Sequence, residues 1–298
     1  MNRDSSLAKV LGVIAVLGMA TAAYLLVIRP NQLRWGATDR EVIRAMPGDE
    51  LVPNPTFLAT RAVTIEGTPE EIWPWLVQMG YGRAGFYGYD LIENIGSGSS
   101  LRSAETIIPE LQQLEVGDKM PISFAATMVI DTIKSNRFLV WADDSSPPSG
   151  AFTWALYPVD EDQTRLINRF RFRYHWLEPV IFLDLFTDFA DPIAVRKILL
   201  GVKDRVEDRA EPVAKQNAEI TLWIVAFLQL ILAVLLILFR QPWWRAWLVA
   251  LAAAGVLLFT LYAFASIWIG ALLEIIITLG LLESYRSSVG FAFAPLNE

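Results

Sequence analysis

Residues 59–90 read ATRAVTIEGTPEEIWPWLVQMGYGRAGFYGYD, and the succession of patterns in this stretch decides the fold. Over 59–66, Val63 and Ile65 alternate with Ala62, Thr64 and Glu66, the period of a strand with one face buried. A helix follows at once: Thr68 can cap it, Pro69 suits its first position, and Glu71 completes a Thr-x-x-Glu capping box. Ile72, Trp73, Leu76, Val77 and Met79 give it an apolar face, Pro74 should kink it, and Gly80 and Gly82 end it. The run Gly80-Tyr-Gly82-Arg-Ala-Gly85 formally matches G-x-G-x-x-G. It follows a helix rather than a strand and opens no βαβ unit, so it is not a dinucleotide fingerprint. Its glycines instead allow a tight turn into a second helical piece over 86–95, which the Gly- and Ser-rich residues 96–100 break.

From Gly117 the period changes. Residues 120–134, 137–142, 151–158 and 164–175 are rich in β-branched and aromatic side chains, with turn-forming clusters at 143–150 and 160–162, and read as consecutive antiparallel strands. In the last, Leu166, Asn168, Phe170, Phe172 and Tyr174 line one face and Arg165, Arg169, Arg171 and Arg173 the other. The arginine row is expected to be a solvated face paired to cross-strand acids, with anionic lipid headgroups as the alternative. A long helix then closes the region: Asp191 is its expected cap, Pro192 its start, Val195, Ile198, Leu199, Val202 and Val206 its apolar stripe, and Glu211-Pro212 its end. The order is strand, split helix, antiparallel strands, long helix, an α+β arrangement. A single sheet must cover its apolar face, and only the last helix is long enough to do so. A curved sheet wrapped round that helix would leave an apolar space lined by aromatic rings, the usual form of a small-molecule site.

The flanks of this region are of another kind. The chain has 298 residues, is 54% hydrophobic and 19% charged, and has a mean hydropathy of +0.38 and a net charge of −7. That is too apolar for a disordered chain, and no basic surplus invites nucleic acid. Residues 10–28 carry no charge between Lys9 and Arg29 and suit a membrane anchor better than a cleaved signal, because apolar residues run on past Ala20-Thr21-Ala22. Residues 220–239 form a second span. A third is expected near 246–265, and 267–282 is either a fourth or an interfacial helix. Within it Glu274 is a lone carboxylate, either protonated or interface-facing, or part of an ion path. The domains are therefore a membrane anchor over 1–29, a globular domain over 30–217 and a membrane region over 218–298, a multi-pass membrane protein. Six basic residues on the domain side (Arg29, Arg34, Arg40, Arg205, Arg209, Lys215) against four opposite (Arg3, Lys9, Arg240, Arg245) lean toward a cytoplasmic domain.

With no cysteine and one histidine, thiolate, iron–sulfur and multi-histidine metal sites are excluded; no EF-hand loop is present, and no metal or cofactor is expected. The stretches 34–55 and 60–94, with TRLINRFRFRY over 164–174 and VRKILLGVKDRVE over 195–207, resemble the START-like helix-grip superfamily, the SRPBCC or polyketide cyclase/dehydrase and lipid-transport proteins. The resemblance covers roughly 34–212 and implies a helix-grip domain with a hydrophobic cavity for lipids, polyketides or other apolar small molecules. It implies no reaction, since the superfamily shares no catalytic motif.

Candidate ligand-binding residues are Trp75, Tyr81, Arg83, Phe86, Tyr87, Tyr89, Asn94, Trp141 and Trp154. The tryptophans among them are first of all core, and Arg83 could hold an anionic headgroup. Catalytic candidates are Asp90, Glu93 and His175. Asp90 and Glu93 lie i, i+3 on a short helix, where a desolvated carboxylate could act as general acid or base, or simply form a solvated face. His175 could be a base or a structural histidine. Three functions remain open: a membrane-tethered domain binding an apolar or lipid ligand without catalysis, a cyclase- or hydrolase-like enzyme, and an interaction module with a membrane-protein partner.

Overall fold

A strand that begins the domain ends up beside the strand that finishes it. In the computed structural model, which describes residues 3–97, 102–240, 242–263 and 266–292, β1 (Phe57–Glu66) pairs antiparallel with β6 (Gln163–Phe172) over its whole length. The elements are, in chain order, α1 (Arg3–Ala23), continued by a π-helical turn (Tyr24–Ile28) into α2 (Arg29–Gln32), then α3 (Asp39–Ile43) and β1. Next come α4 (Pro69–Gln78), α5 (Asp90–Glu93), a 3-10 turn (Pro109–Leu111), β2 (Lys119–Pro121), β3 (Thr127–Lys134), β4 (Phe138–Ala142), β5 (Gly150–Pro158) and β6. Four further helices are α6 (Ile181–Val206), α7 (Val213–Phe239), α8 (Trp243–Tyr262) and α9 (Ile267–Ala292). The chain divides into two units, Asn31–Val213, and Met1–Pro30 with Ala214–Glu298.

In the unit Asn31–Val213 the sheet is antiparallel with strand order β1-β6-β5-β4-β3-β2. Its inner face, with Ile65, Trp141, Trp154, Leu156 and Leu166, packs against Val195, Ile198, Leu199 and Val202 of α6 and against α4. The Thr68–Glu71 capping box starts α4 as its residues dictate. Several elements differ from the sequence expectation. The strand read over 120–134 is two, β2 and β3, joined by a turn in which the Ile122 N–H donates to the Ala126 carbonyl. The helix read over 86–95 is only the four residues of α5, because Tyr87 takes a left-handed backbone (φ 66°) and the Gly80–Gly85 turn closes as an antiparallel bridge.

The long helix begins eleven residues before Pro192, which lies inside it. Asp191 does not cap it, because its carboxylate is drawn into an ion pair with Arg61. The helix ends at Val206, short of Glu211-Pro212.

The arginine row is also not a solvated face. Residues 36–53 cover it: Arg165 pairs with Glu41 at 2.7 Å, and Arg169 and Arg171 pair with Asp49 at 2.8 and 3.2 Å. The acids come from this covering segment rather than from across the sheet. Burial works to raise the Glu41 carboxyl, but hydrogen bonds from Arg165 and Thr38 hold it below its ordinary value.

Among the described residues, four helices, lying almost wholly in the other unit, are long and apolar enough to cross a membrane: Ser6–Gln32, Val213–Phe239, Trp243–Tyr262 and Ile267–Ser287. Here α8 buries Ala246, Ala250, Ala253 and Ala254, small side chains that let neighbouring backbones approach. The Trp247 indole donates to the Gly12 carbonyl at 3.0 Å, where a Cβ on Gly12 would meet the Trp243 ring at 3.1 Å. The expected third and fourth apolar stretches are the separate helices α8 and α9, and Gln229 of α7 donates to the Glu274 carbonyl and the Thr278 hydroxyl of α9, both at 3.0 Å, with Glu274 buried.

Candidate functional site

Strand register assembles a polar row on the inner face of the sheet. Arg61 of β1 stands opposite Asn168 of β6, and Asn168 opposite Trp154 of β5. Side chains directly opposite on antiparallel strands share a face about 5 Å apart. Trp141 of β4 completes the group, its ring centroid 5.8 Å from that of Trp154. All four are buried. Arg61 donates through Nε to the Gln32 carbonyl at 2.7 Å, and its Nη2 lies 2.7 Å from Asp191 Oδ2 on α6; Asn168 donates to the Thr153 carbonyl at 3.3 Å. Apart from the ion-paired Arg61 Nη2 and Asp191 Oδ2, five atoms here have no partner among the described residues: Nε1 of Trp141, Nε1 of Trp154, Oδ1 of Asn168, Nη1 of Arg61 and Oδ1 of Asp191. Each such buried group costs roughly 1–3 kcal/mol while unmade.

Only the two tryptophans of this row are candidates by sequence. Arg61, Asn168 and Asp191 escape that reading, although strand alternation carries a signal. Arg61 falls in phase with Val63 and Ile65, and Asn168 in phase with Leu166 and Phe170, so each is a polar residue on an apolar face.

The other ligand-binding candidates, with Asp90 and Glu93 but not His175, lie around the end of α4, α5 and the later turns of α6. Asp90 accepts from the backbone N–H and the hydroxyl of Ser103 at 3.0 and 2.6 Å, a loop clamp. Tyr87 donates to the Trp75 carbonyl at 2.9 Å, stacks edge-on with that ring and lies under Arg205. Burial raises its phenol well above the ordinary value and lowers the Arg205 and Arg83 guanidinium groups. Arg83 donates to the carbonyls of Val77 and Leu111, Tyr81 to that of Ile95, and the Lys197 ammonium lies 4.8 Å from the Tyr89 ring. Phe86 packs in the core, and Asn94 is buried with its Nδ2 unpartnered among the described residues. The backbone of Tyr87 presses on α6 at Gly201, where a Cβ would lie 2.0 Å from its carbonyl oxygen.

Glu93 accepts from the Gly88 N–H at 3.2 Å, while its other oxygen is shut off from solvent without a partner. Burial, helped by the charge on Asp90, pushes its carboxyl up to about 7. The folded chain therefore holds this proton more tightly than the unfolded chain does. The stabilisation is complete below the ordinary value of 4.5 and is lost as pH rises through about 7. Glu93→Gln should leave the thermal midpoint of the full chain in detergent nearly unchanged at about pH 4 and raise it at about pH 8, a gain of roughly 2–3 kcal/mol. Equal midpoints at both pH values would show that Glu93 is not held neutral.

An antiparallel sheet that starts and finishes at adjacent strands, with the α4–α5 excursion between β1 and β2 and one long helix across its inner face, leaves a single description. The unit Asn31–Val213 has a helix-grip fold. Several solved structures are similar to it at low identity. They include a Polyketide_cyc-like protein from Corynebacterium glutamicum (14% identity, 54% of this chain and 92% of that chain, TM-score 0.25). A conserved protein of unknown function from Enterococcus faecalis is also similar (14%, 55% and 82%, TM-score 0.31), as is a protein from Thermobifida fusca (11%, 51% and 94%, TM-score 0.33). No protein-family model matches the chain, and no curated protein does.

Within the helix-grip unit the three catalytic candidates are not brought together. His175 follows β6, with its Nδ1 3.1 Å from Asp184 near the start of α6, whereas Tyr89, beside Asp90, faces Lys197. Those two helix positions are about 20 Å apart along the axis. A pocket of ≈ 670 Å³ is walled by Arg44, Pro47, Glu70, Lys134, Asn136 and Tyr157 of the helix-grip unit, and another of ≈ 370 Å³ by Val225, Gln229, Leu232, Thr278, Leu282 and Tyr285 of the helical unit. Neither is lined by Arg61, Asn168, Trp141 or Trp154. Among the described residues no three His, Asp or Glu side chains gather as metal ligands.

Proposed function

We propose that this membrane-associated helix-grip unit binds an apolar, lipid-like small molecule on the inner face of its sheet, without catalysing a reaction. The observation that carries this reading is the row of unpartnered buried atoms on Arg61, Asn168, Trp154, Trp141 and Asp191. Three of the five are N–H donors, so the group they suit is a head bearing acceptor oxygens, such as a carboxylate or ketone. The surroundings are apolar, with Ile65, Leu139, Leu156 and Leu166 beside the row, and these suit a hydrocarbon body. Helices able to cross the bilayer would hold such a site beside the phase into which its ligands partition.

The test is a titration of the detergent-solubilised full chain with a fluorescent fatty acid, cis-parinaric acid, beside mass spectrometry of lipid that co-purifies. The wild-type chain should bind, and Trp154→Phe, which keeps the ring packing and deletes the indole N–H, should weaken binding about tenfold, the worth of one buried hydrogen bond. No probe binding together with no co-purifying lipid, or equal affinity in the variant, would count against the reading.

A further inference from the structure

The first turns of α6 are inside out. Asp184, Asp188 and Asp191 recur at i, i+4 and i+7, and all three are buried. Asp184 accepts from the His175 backbone N–H at 2.7 Å, Asp188 from the Tyr174 hydroxyl, and Asp191 pairs with Arg61. The outward side of the same turns carries Phe182, Leu183, Leu185 and Phe186, which are 78, 59, 47 and 64% exposed. The preceding loop adds Trp176 and Leu177, at 61 and 101%. A helix facing water turns its charges outward and its apolar stripe inward. This one does the reverse, and each large apolar side chain left in water forgoes roughly 1.5–3 kcal/mol of burial. A contiguous patch of this kind marks an interaction surface.

The path of the chain inside this unit identifies what covers it. The Leu33 carbonyl accepts from the Thr60 N–H at 2.8 Å and the Trp35 carbonyl from the Ala62 N–H at 3.1 Å, so residues 31–35 run parallel beside β1. Followed backward, toward the apolar helix Ser6–Gln32, they head for the Phe57 end of the strand. There Leu33 packs with Phe57, Phe170, Phe172 and Tyr174, and the Tyr174 ring lies 5.0 Å from that of Trp176. The chain thus joins its first candidate span at the end of the sheet where the patch lies. The outgoing chain turns the same way: Glu211 pairs with Lys197 at 2.5 Å, so residues 208–211 double back along α6 before α7 begins.

We infer that residues 176–186 insert into the interface of the bilayer that the chain's own apolar helices cross. Trp176 then sits at headgroup level, and Phe182 and Phe186 reach the acyl boundary, the geometry of an interfacial helix. The inward aspartates, bonded to His175, Tyr174 and Arg61, fix the rotation of α6 that presents this face.

The chain has no cysteine, so Phe182→Cys and Phe186→Cys each give one labelling site in the full chain. In vesicles of phosphatidylcholine and phosphatidylglycerol, a bimane at either position should lose most of its emission to doxyl-labelled lipid and be shielded from aqueous iodide. A bimane at Val159→Cys, in the exposed turn at the opposite end of the sheet, should respond in the reverse sense. The inference is overturned if positions 182 and 186 are as open to iodide as 159. It is equally overturned if they are shielded from iodide and doxyl lipid alike, as a protein partner or a second copy of the chain would shield them. Neither result bears on the ligand row, so the two readings stand or fall separately.

Discussion

Arg61→Met in the full chain is expected to lower stability by about 3–5 kcal/mol, because it strands Asp191 as an uncompensated charge in a dry core. Arg61 is fully buried, and its Nη2 lies 2.7 Å from Asp191 Oδ2. Burial pushes the Asp191 carboxyl up from its ordinary value even with this guanidinium beside it, and the charge on Asp188 adds to the rise. The attraction therefore does not repay what the Asp191 carboxylate loses on leaving water. It follows that Arg61→Met/Asp191→Leu should recover most of the loss seen in the single variant. Denaturant unfolding measures both, and a neutral single variant, or a double variant no better than the single, would remove the pair as the join between β1 and α6. The double variant also separates fold from function. It should fold and yet bind cis-parinaric acid more weakly than wild type, since two members of the polar row are gone.

What could be read from the residues, and what could not, divides along a physical line. Local signals were sufficient where the determinant is local: the Thr68–Glu71 box starts α4, and the alternation over 59–66 and 164–174 places each side chain on the correct face of β1 and β6. Alternation says which way a side chain points but not what it meets. For that reason Arg165, Arg169 and Arg171 could be assigned to one face and still be misjudged as solvated, since their cover comes from residues more than 100 positions earlier. Asp191-Pro192 is likewise a sound helix start by local chemistry, overridden because Arg61 across the core offers Asp191 a stronger partner. The buried polar row was least legible, because Arg61, Asn168 and Trp154 become neighbours only through strand register.

Arg169 is held by the same kind of long-range contact. Its five N–H groups are all used: Nε donates to Thr60 Oγ1 at 3.0 Å, Nη1 to the Arg44 carbonyl and Asp49 Oδ2 at 2.7 and 2.8 Å, and Nη2 to the carbonyls of Glu41 and Val42 at 2.8 and 3.0 Å. Four of these acceptors belong to the segment that covers the outer face of the sheet, which has little regular structure of its own beyond α3. Arg169→Met should therefore cost about 3–5 kcal/mol, since it takes the donor from three backbone carbonyls and leaves the Asp49 carboxylate only Arg171 and the Met46 N–H. The loss should be uneven. Amides of residues 39–52 should exchange with deuterium much faster, while β5 and the core-facing turns of α6 stay protected. Arg169→Lys should fail to restore protection, because a compact ammonium with three donors cannot span acceptors that a planar five-donor fork reaches together. A lysine variant as protected as wild type would mean that positive charge alone holds the segment, and that the directional hydrogen bonds are incidental to it.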